Sequence, residues 1–178
     1  MRRTLTLVAV AAGAVFAVNA AGAQAAGHAY VGEKGCAMCH KTEKAGAQAG
    51  IWEKSKHAQA YVTLTTPAAD AIAKAKGIAG PAAAAPACLK CHAIVGDAKA
   101  DVKDGVQCES CHGAGADYKN MAVMKVKADA VAKGMTAFAD KAAIEAMCKT
   151  CHNADSPTAK PFNFEERWAK IAHKKPAA

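Results

Sequence analysis

The sequence has few of the side chains that normally fill a protein core. Phe, Trp and Tyr together make up only 5 % of the 178 residues, whereas alanine is abundant. A chain of this composition can bury little apolar surface to offset the conformational entropy that is lost on folding. The scarcity of large apolar residues argues against an ordinary core. It indicates that something other than side chains fills the interior.

Three further absences restrict the class of protein. After the first residues, no apolar run is long enough to span a bilayer. No alternating run of β-branched residues predicts a strand, so we expect a mainly α-helical chain. The formal charge of +8 comes from scattered lysines, without the basic stripe and stacking aromatics of a nucleic-acid site. We therefore expect no nucleic-acid partner and, once the chain is mature, no membrane-spanning segment.

The first 25 residues have the layout of a secretory signal peptide. Two arginines follow the initial methionine, an apolar run extends from Leu5 to about Val18, and the A-Q-A sequence at 23–25 suits signal-peptidase cleavage. We expect residues 1–25 to be removed and residues 26–178 to form one domain on the periplasmic or extracellular side. A retained N-terminal anchor is the alternative.

All eight cysteines fall in four copies of C-x-x-C-H, the signature of covalent haem attachment. Each thiol forms a thioether with one porphyrin vinyl group, and the adjacent histidine binds the iron from the same side. Zinc ribbons need no histidine after every C-x-x-C pair, and a thioredoxin-like site would have one copy beside a βαβ pattern. The sequence therefore predicts an irregular, mainly α wrapper around a core of four covalently bound haem c groups. The attachment residues are Cys36, Cys39, Cys88, Cys91, Cys108, Cys111, Cys148 and Cys151, and the proximal iron ligands are His40, His92, His112 and His152.

The remaining three histidines are candidates for the distal side of the irons. His57 and His173 each lie five residues after a tryptophan, in a W-x4-H pattern on stretches that favour helix, and His28 lies near the expected mature N-terminus. Three distal histidines for four haems leave one iron without one. Either that iron has an open face, or a methionine such as Met121 or Met124 binds it.

Helix signals are clearest at two places. Thr66 followed by proline predicts an N-cap for a short helix that ends near Gly77. Asn163 followed by Glu166 resembles a capping box and predicts a last helix that extends to His173.

Other parts of the chain give weaker signals. Residues 41–64 favour an interrupted helix, whereas the alanine, glycine and proline of residues 78–86 favour a surface connection. Only fifteen residues separate the second motif from the third, which predicts that their haems are near neighbours.

Taken together, these residues resemble the tetrahaem cytochrome c-554 family over nearly the whole mature chain. The resemblance rests on the first motif followed by W-x4-H-A at 52–58, on the second motif, and on G-V-Q-C-E-S-C-H-G at 105–113. The fourth motif and the aromatic-plus-histidine segment at 162–173 complete it. It implies a mainly helical fold with closely packed haem pairs that relay electrons between redox partners.

The resemblance also implies a set of distal ligands. In the family's type case three haems are bis-histidine and one is five-coordinate. His57 and His173 match family distal positions. The family's remaining distal histidine lies after the third motif, where this sequence instead has Y-K-N-M-A-V-M at 118–124. His28 could substitute for it from a different part of the chain.

We therefore expect an exported tetrahaem c-type cytochrome that relays electrons between redox proteins, rather than an enzyme with a substrate of its own. Two alternatives stay open. One open haem, which the resemblance places at His92, could bind and convert nitric oxide, hydroxylamine or nitrite. Alternatively, His28 could reach the haem of a second copy, so that the protein self-associates into a haem filament.

Overall fold

The computed structural model describes residues 27–95 and 99–173, so the expected signal peptide lies outside the described residues. Within these ranges the chain forms short α-helices and 3-10 helices and no strand, which confirms the mainly α prediction. The α-helices are α1 (Glu33–His40), α2 (Gln48–Glu53), α3 (Ala60–Leu64), α4 (Pro67–Ala75), α5 (Pro86–His92), α6 (Cys108–His112), α7 (Met121–Met124), α8 (Lys127–Ala132), α9 (Lys141–Lys149) and α10 (Phe164–Ile171). The 3-10 helices cover Glu43–Ala45, Ala82–Ala84 and Val102–Asp104.

The α-helices of the described ranges have between four and nine residues. None of those described helices is long and apolar enough to cross a membrane. Such short helices are marginal in isolation, so their stability must come from tertiary contacts.

The predicted start of α4 is confirmed by its cap. Thr66 Oγ1 accepts a hydrogen bond from the Ala69 N–H at 3.3 Å, and Pro67 occupies the first helical turn. Proline is favoured there because the first N–H groups of a helix have no intrahelical acceptor. The helix ends at Ala75, two residues before Gly77, which has a φ of 71°.

The start of α10 is also confirmed, but its end differs from the prediction. Asn163 Oδ1 accepts the Glu166 N–H at 3.2 Å, as expected for an N-cap. The helix ends at Ile171, so His173 lies beyond its C-terminus instead of within it.

The predicted interrupted helix over residues 41–64 consists of a 3-10 helix, α2 and α3. The Ser55 N–H donates to Trp52 O at 2.8 Å, and Ser55 Oγ accepts the His57 N–H at 3.2 Å. These local bonds compete with helical ones and end α2. The expectation that this W-x4-H pattern lies on one helix is therefore wrong, because His57 lies in the turn between α2 and α3.

The buried apolar residues of the described chain are mostly small, since six of the ten are alanines. One cluster joins Leu64, Ala73 and Ala82, with Cys88 and Leu89 packed against it. This cluster fixes α5, and with it the second C-x-x-C-H motif, against α3 and α4. Side chains thus fill little interior volume in this part of the chain, as the composition predicted.

The segment at 78–86 is not the plain surface connection that its composition favours. Ala82 is buried, and its N–H donates to Asp70 Oδ1 on α4 at 2.8 Å. Ala85, at the start of α5, is buried as well. Alanine packs here because helices with small side chains can approach closely, which a composition-based reading of loops does not capture.

Candidate functional site

Each C-x-x-C-H motif occupies about one helical turn. α1, α5 and α6 end at His40, His92 and His112, and the fourth copy straddles the end of α9, where the His152 N–H donates to Cys148 O at 2.9 Å. Residues three and four apart on a helix share a face, so the two thiols and the histidine of a motif project from one side. This arrangement fits two thioether bonds and one axial imidazole on the same porphyrin. All eight cysteines are free thiols.

Cysteines of different motifs contact one another in an order that differs from their order along the chain. A hydrogen bond between the Cys36 and Cys108 thiols raises the pKa of Cys36 and joins the first motif to the third. Burial, together with the neighbouring Cys151, raises the pKa of Cys91 and indicates contact between the second and fourth motifs. Burial, together with the neighbouring Cys148 and Cys151, raises the pKa of Cys111 to about 11 and indicates contact between the third and fourth motifs. The four motifs therefore form one contiguous group.

Two of the three spare histidines face histidines of the motifs. The ring centroids of His57 and His152 are 6.1 Å apart, and those of His112 and His173 are 6.0 Å apart. An imidazole nitrogen lies about 2 Å from a bound metal ion, so two imidazoles on opposite sides of one ion have centroids about 6 Å apart. The geometry fits one haem iron between each pair. His57 thus corresponds to the fourth motif and His173 to the third.

The surroundings of these rings favour the neutral imidazole, which is the form that binds a metal. Burial lowers the pKa of His57, and the nearby His152 lowers it further. Burial also lowers the pKa of His112, with His173 adding to the effect. The pKa of His152 is lowered by burial and then by Arg167.

In His92 and His40, a hydrogen bond at Nδ1 determines which ring nitrogen is free to bind a metal ion. His92 Nδ1 lies 2.8 Å from Ala60 O, and His40 Nδ1 lies 3.3 Å from Gln48 Oε1. The amide orientation of Gln48 follows from its Nε2, which donates to Ala45 O at 2.6 Å. Because these oxygens only accept, Nδ1 carries the proton in both rings. Nε2 keeps its lone pair for the iron.

The segment that carries His57 is fastened to the residue before the third motif. Trp52 Nε1 donates to Val106 O at 2.7 Å, and the Val106 N–H donates to His57 O at 3.0 Å. Gly105 has a φ of 69°, and a Cβ there would lie 2.5 Å from His57 O, so the approach requires glycine. The third motif therefore positions the histidine that faces the fourth.

Glu109, between the two cysteines of the third motif, is a site residue that the sequence reasoning did not identify. Its side chain is buried and accepts hydrogen bonds from the N–H groups of Val31 at 3.0 Å, Gly32 at 2.8 Å and Gly115 at 2.6 Å. These bonds tie the chain that enters α1 to the third motif. The only signal for Glu109 in the sequence is its place in the G-V-Q-C-E-S-C-H-G stretch.

The remaining candidate ligands do not face a motif histidine. His28 makes a hydrogen bond to Asp117, the Met121 side chain is 65 % exposed on α7, and Met124 is half-buried. Within residues 27–95 and 99–173, no ring contact joins His40 or His92 to another histidine. The structure thus places two of the distal candidates next to motif histidines, His57 beside His152 and His173 beside His112.

A comparison with known protein families supports this reading of the motifs. Residues 35–113 match the family model described as cytochrome c554 and c-prime, which confirms the resemblance over that stretch. The matched stretch contains the first three C-x-x-C-H motifs and also His57 and Glu109. No curated protein and no solved structure matches the chain.

Proposed function

Since residues 35–113 match the cytochrome c554 and c-prime family, we propose that this chain is a tetrahaem c-type cytochrome that relays electrons between redox proteins. The match supports covalently bound haem c and a role in electron transfer. The observation that carries the proposal is the pair of facing imidazoles, His57 with His152 and His112 with His173. An iron with histidine on both sides has no free position for a substrate, which suits electron transfer.

The count of four haems is supported by the shared geometry of the motifs. Each of the four places two free thiols and a histidine on one helical turn, and the motifs contact one another. Because the buried side chains of the described chain are small, four closely packed haems would supply the core that the chain otherwise lacks.

We propose that residues 1–25 direct export and that residues 26–178 form the haem-binding domain, in the periplasm or on the extracellular side. The charged start, apolar middle and A-Q-A end of the first segment support this location.

The chain's own residues hold the cofactors and adjust their properties. When bound, haem iron supplies one-electron oxidation and reduction. Ala60 O and Gln48 Oε1 orient the His92 and His40 rings through Nδ1, which also raises the basicity of the ligating nitrogen. Burial around His57 and His112 lowers the local polarity, which is one of the means by which a protein sets haem potentials.

An alternative function, reaction of nitric oxide, hydroxylamine or nitrite at one open haem, has one observation in its favour. Ala60 O orients the His92 ring, yet none of the ring contacts in the described chain gives His92 an imidazole on the opposite side. An open axial position is necessary for such chemistry but is not sufficient for it.

The first test is to produce the full chain in a host that attaches c-type haem and to measure intact mass and electron paramagnetic resonance of the ferric protein. We expect the mass of residues 26–178 plus four haems, and low-spin signals from the irons of His112 and His152. Fewer haems, or high-spin signals from both of those irons, would contradict the proposal. A high-spin signal that nitric oxide abolishes would instead favour the open-haem alternative.

A variant of the fourth motif tests whether His57 binds the iron of the fourth haem. Replacing both Cys148 and Cys151 with alanine should leave three haems and remove the low-spin signal that depends on His57. Protein made without the haem-attachment machinery should be unfolded, as judged by circular dichroism, and a folded apoprotein would contradict the proposed haem core.

A further inference from the structure

We propose that Asp117 fixes His28 as the distal ligand of the first haem, the one attached through Cys36 and Cys39 with His40 as proximal ligand. The inference rests on the proposed function and extends it, because it adds a positioning residue that acts on a haem through another side chain.

The hydrogen bond between His28 and Asp117 determines which nitrogen is available to a metal. His28 Nδ1 lies 2.5 Å from Asp117 Oδ2, across 89 residues of sequence. A carboxylate only accepts hydrogen bonds, so Nδ1 is the protonated nitrogen and Nε2 is the one that can bind iron. Carboxylate, histidine and metal in a row is a common arrangement, in which the carboxylate orients the ring and raises its basicity.

Gly134 lies close to the same ring and leaves no room there for a side chain. A Cβ on Gly134 would lie 2.7 Å from both Cδ2 and Nε2 of His28 and 3.2 Å from Cε1. Such similar distances to three ring atoms place Gly134 over the face of the imidazole and not at its edge. The lone pair of Nε2 lies in the ring plane and therefore points away from this contact. The His28 ring is thus bound at one nitrogen and covered on one face, while its side chain as a whole is 45 % exposed.

The backbone around His28 places it beside the third motif. The Ala116 N–H donates to Ala29 O at 3.0 Å, and the Thr136 N–H donates to His112 O at 2.9 Å. A Cβ on Gly113, which directly follows that motif, would lie 2.8 Å from Gly134 O. The residues on both sides of the His28 ring are therefore attached to the end of α6.

The same backbone also leads directly to the first motif. Two residues after Ala29, the N–H groups of Val31 and Gly32 donate to Glu109, and α1 then carries Cys36 against Cys108. His28 therefore lies next to the first and third motifs, which contact each other.

Elimination then selects the first haem. The third iron is accounted for by His173, which faces His112, and the fourth by His57, which faces His152. The second motif contacts the fourth, through Cys91 and Cys151. The iron of His40 is thus the one that His28 can serve within the same chain.

The test compares four variants of the full holoprotein: His28→Ala, Asp117→Ala, Asp117→Asn and the control Asp129→Ala, which removes an exposed carboxylate from α8. Intact mass counts the haems, electron paramagnetic resonance reports spin states, and cyanide titration of the ferric protein measures how easily a distal ligand is displaced.

We expect His28→Ala to convert one iron to high spin. Asp117→Ala should strengthen cyanide binding at that same iron by about 10–100-fold, since loss of an outer hydrogen-bond partner typically weakens a metal–histidine bond by this factor. The reduction potential of that haem should rise, because a less basic imidazole stabilises ferric iron less. Asp117→Asn, whose amide oxygen can still accept the bond, should have a smaller effect, and Asp129→Ala should match the wild type.

Several results would overturn the inference and leave the proposed function intact. One is a low-spin pattern in His28→Ala that is the same as in the wild type. Another is that both Asp117 variants bind cyanide as the wild type does and have the same reduction potential. Loss of a low-spin signal from the wild-type protein on dilution would place the ligand between copies and would also overturn it. If Asp117→Ala loses haem, Asp117→Asn decides the question. Failure of the proposed function would appear differently, as fewer than four haems in the wild-type mass.

Discussion

The two W-x4-H segments have the same spacing and the same apparent task, but the structure anchors them differently. Trp52 and the backbone of His57 both bind Val106, about fifty residues further along the chain. Trp168 instead stacks on Phe164 within its own helix, with centroids 6.2 Å apart, and His173 Nδ1 lies 3.2 Å from the nearby Ile171 O. Each segment nevertheless brings its histidine about 6 Å from a motif histidine.

The difference shows that the two histidines are positioned by different means, His57 by long-range backbone bonds and His173 by a locally stabilised helix. His57 is half-buried and shares its anchor with the third motif, whereas His173 is exposed and follows a helix that is joined to α9 by the ion pair Lys141–Glu165. We therefore expect changes around His57 to affect the whole molecule, and changes around His173 to stay local.

Removing either histidine gives the largest effect and tests the shared task. His57→Ala should make the iron of His152 high-spin, and His173→Ala should do the same to the iron of His112, with four haems retained in each. The double variant should show both changes. Lys56→Ala, next to His57 and exposed, is the control. Unchanged spin states in a single variant would remove that histidine from the ligands.

Two glycine substitutions distinguish the loss of the contact between Gly105 and the His57 backbone from the cost of a positive φ alone. Gly105 and Gly77 have φ values of 69° and 71°, but only a Cβ on Gly105 would collide with the backbone of His57. Gly77→Ala should cost about 1–2 kcal/mol of the free energy of unfolding. Gly105→Ala should cost more and should also weaken the low-spin signal of the fourth haem. Urea unfolding compares the two, and equal costs would contradict the anchor.

Replacing each tryptophan with phenylalanine compares the two anchors directly. Trp52→Phe removes the donor to Val106 O and should lower the free energy of unfolding by about 1–3 kcal/mol. Trp168→Phe keeps a ring that can stack on Phe164, so its cost should be under about 1 kcal/mol. The reverse order of the two denaturation midpoints would refute the distinction between the anchors.

The smallest effect is expected at the ion pair between α9 and α10. Lys141 Nζ and Glu165 Oε2 are 2.7 Å apart, but both side chains are more than half exposed. A double-mutant cycle with Lys141→Ala and Glu165→Ala should give a coupling of about 0–1 kcal/mol that salt weakens. A coupling well above this range, or a change in the spin state of the third haem, would mean that the pair positions His173.

Sequence reasoning could name candidate site residues because the chemistry of haem attachment requires particular residue types at fixed spacing. The C-x-x-C-H motifs, His57 and His173 could be identified in this way, as could the starts of α4 and α10, whose caps depend on neighbouring residues. The turn at His57 and the burial of Ala82 could not, because a serine bond and close helix packing override local composition.

The sequence by itself determined the cysteine and histidine inventory, the mainly helical fold and the shortage of a side-chain core, all of which follow from composition and local spacing. Only the tertiary structure decided that His57 faces the fourth motif and His173 the third, that the first motif contacts the third, and that Asp117 holds His28. These pairings join residues far apart in the chain. They depend on backbone bonds at Val106 and Glu109, whose partners no local pattern specifies.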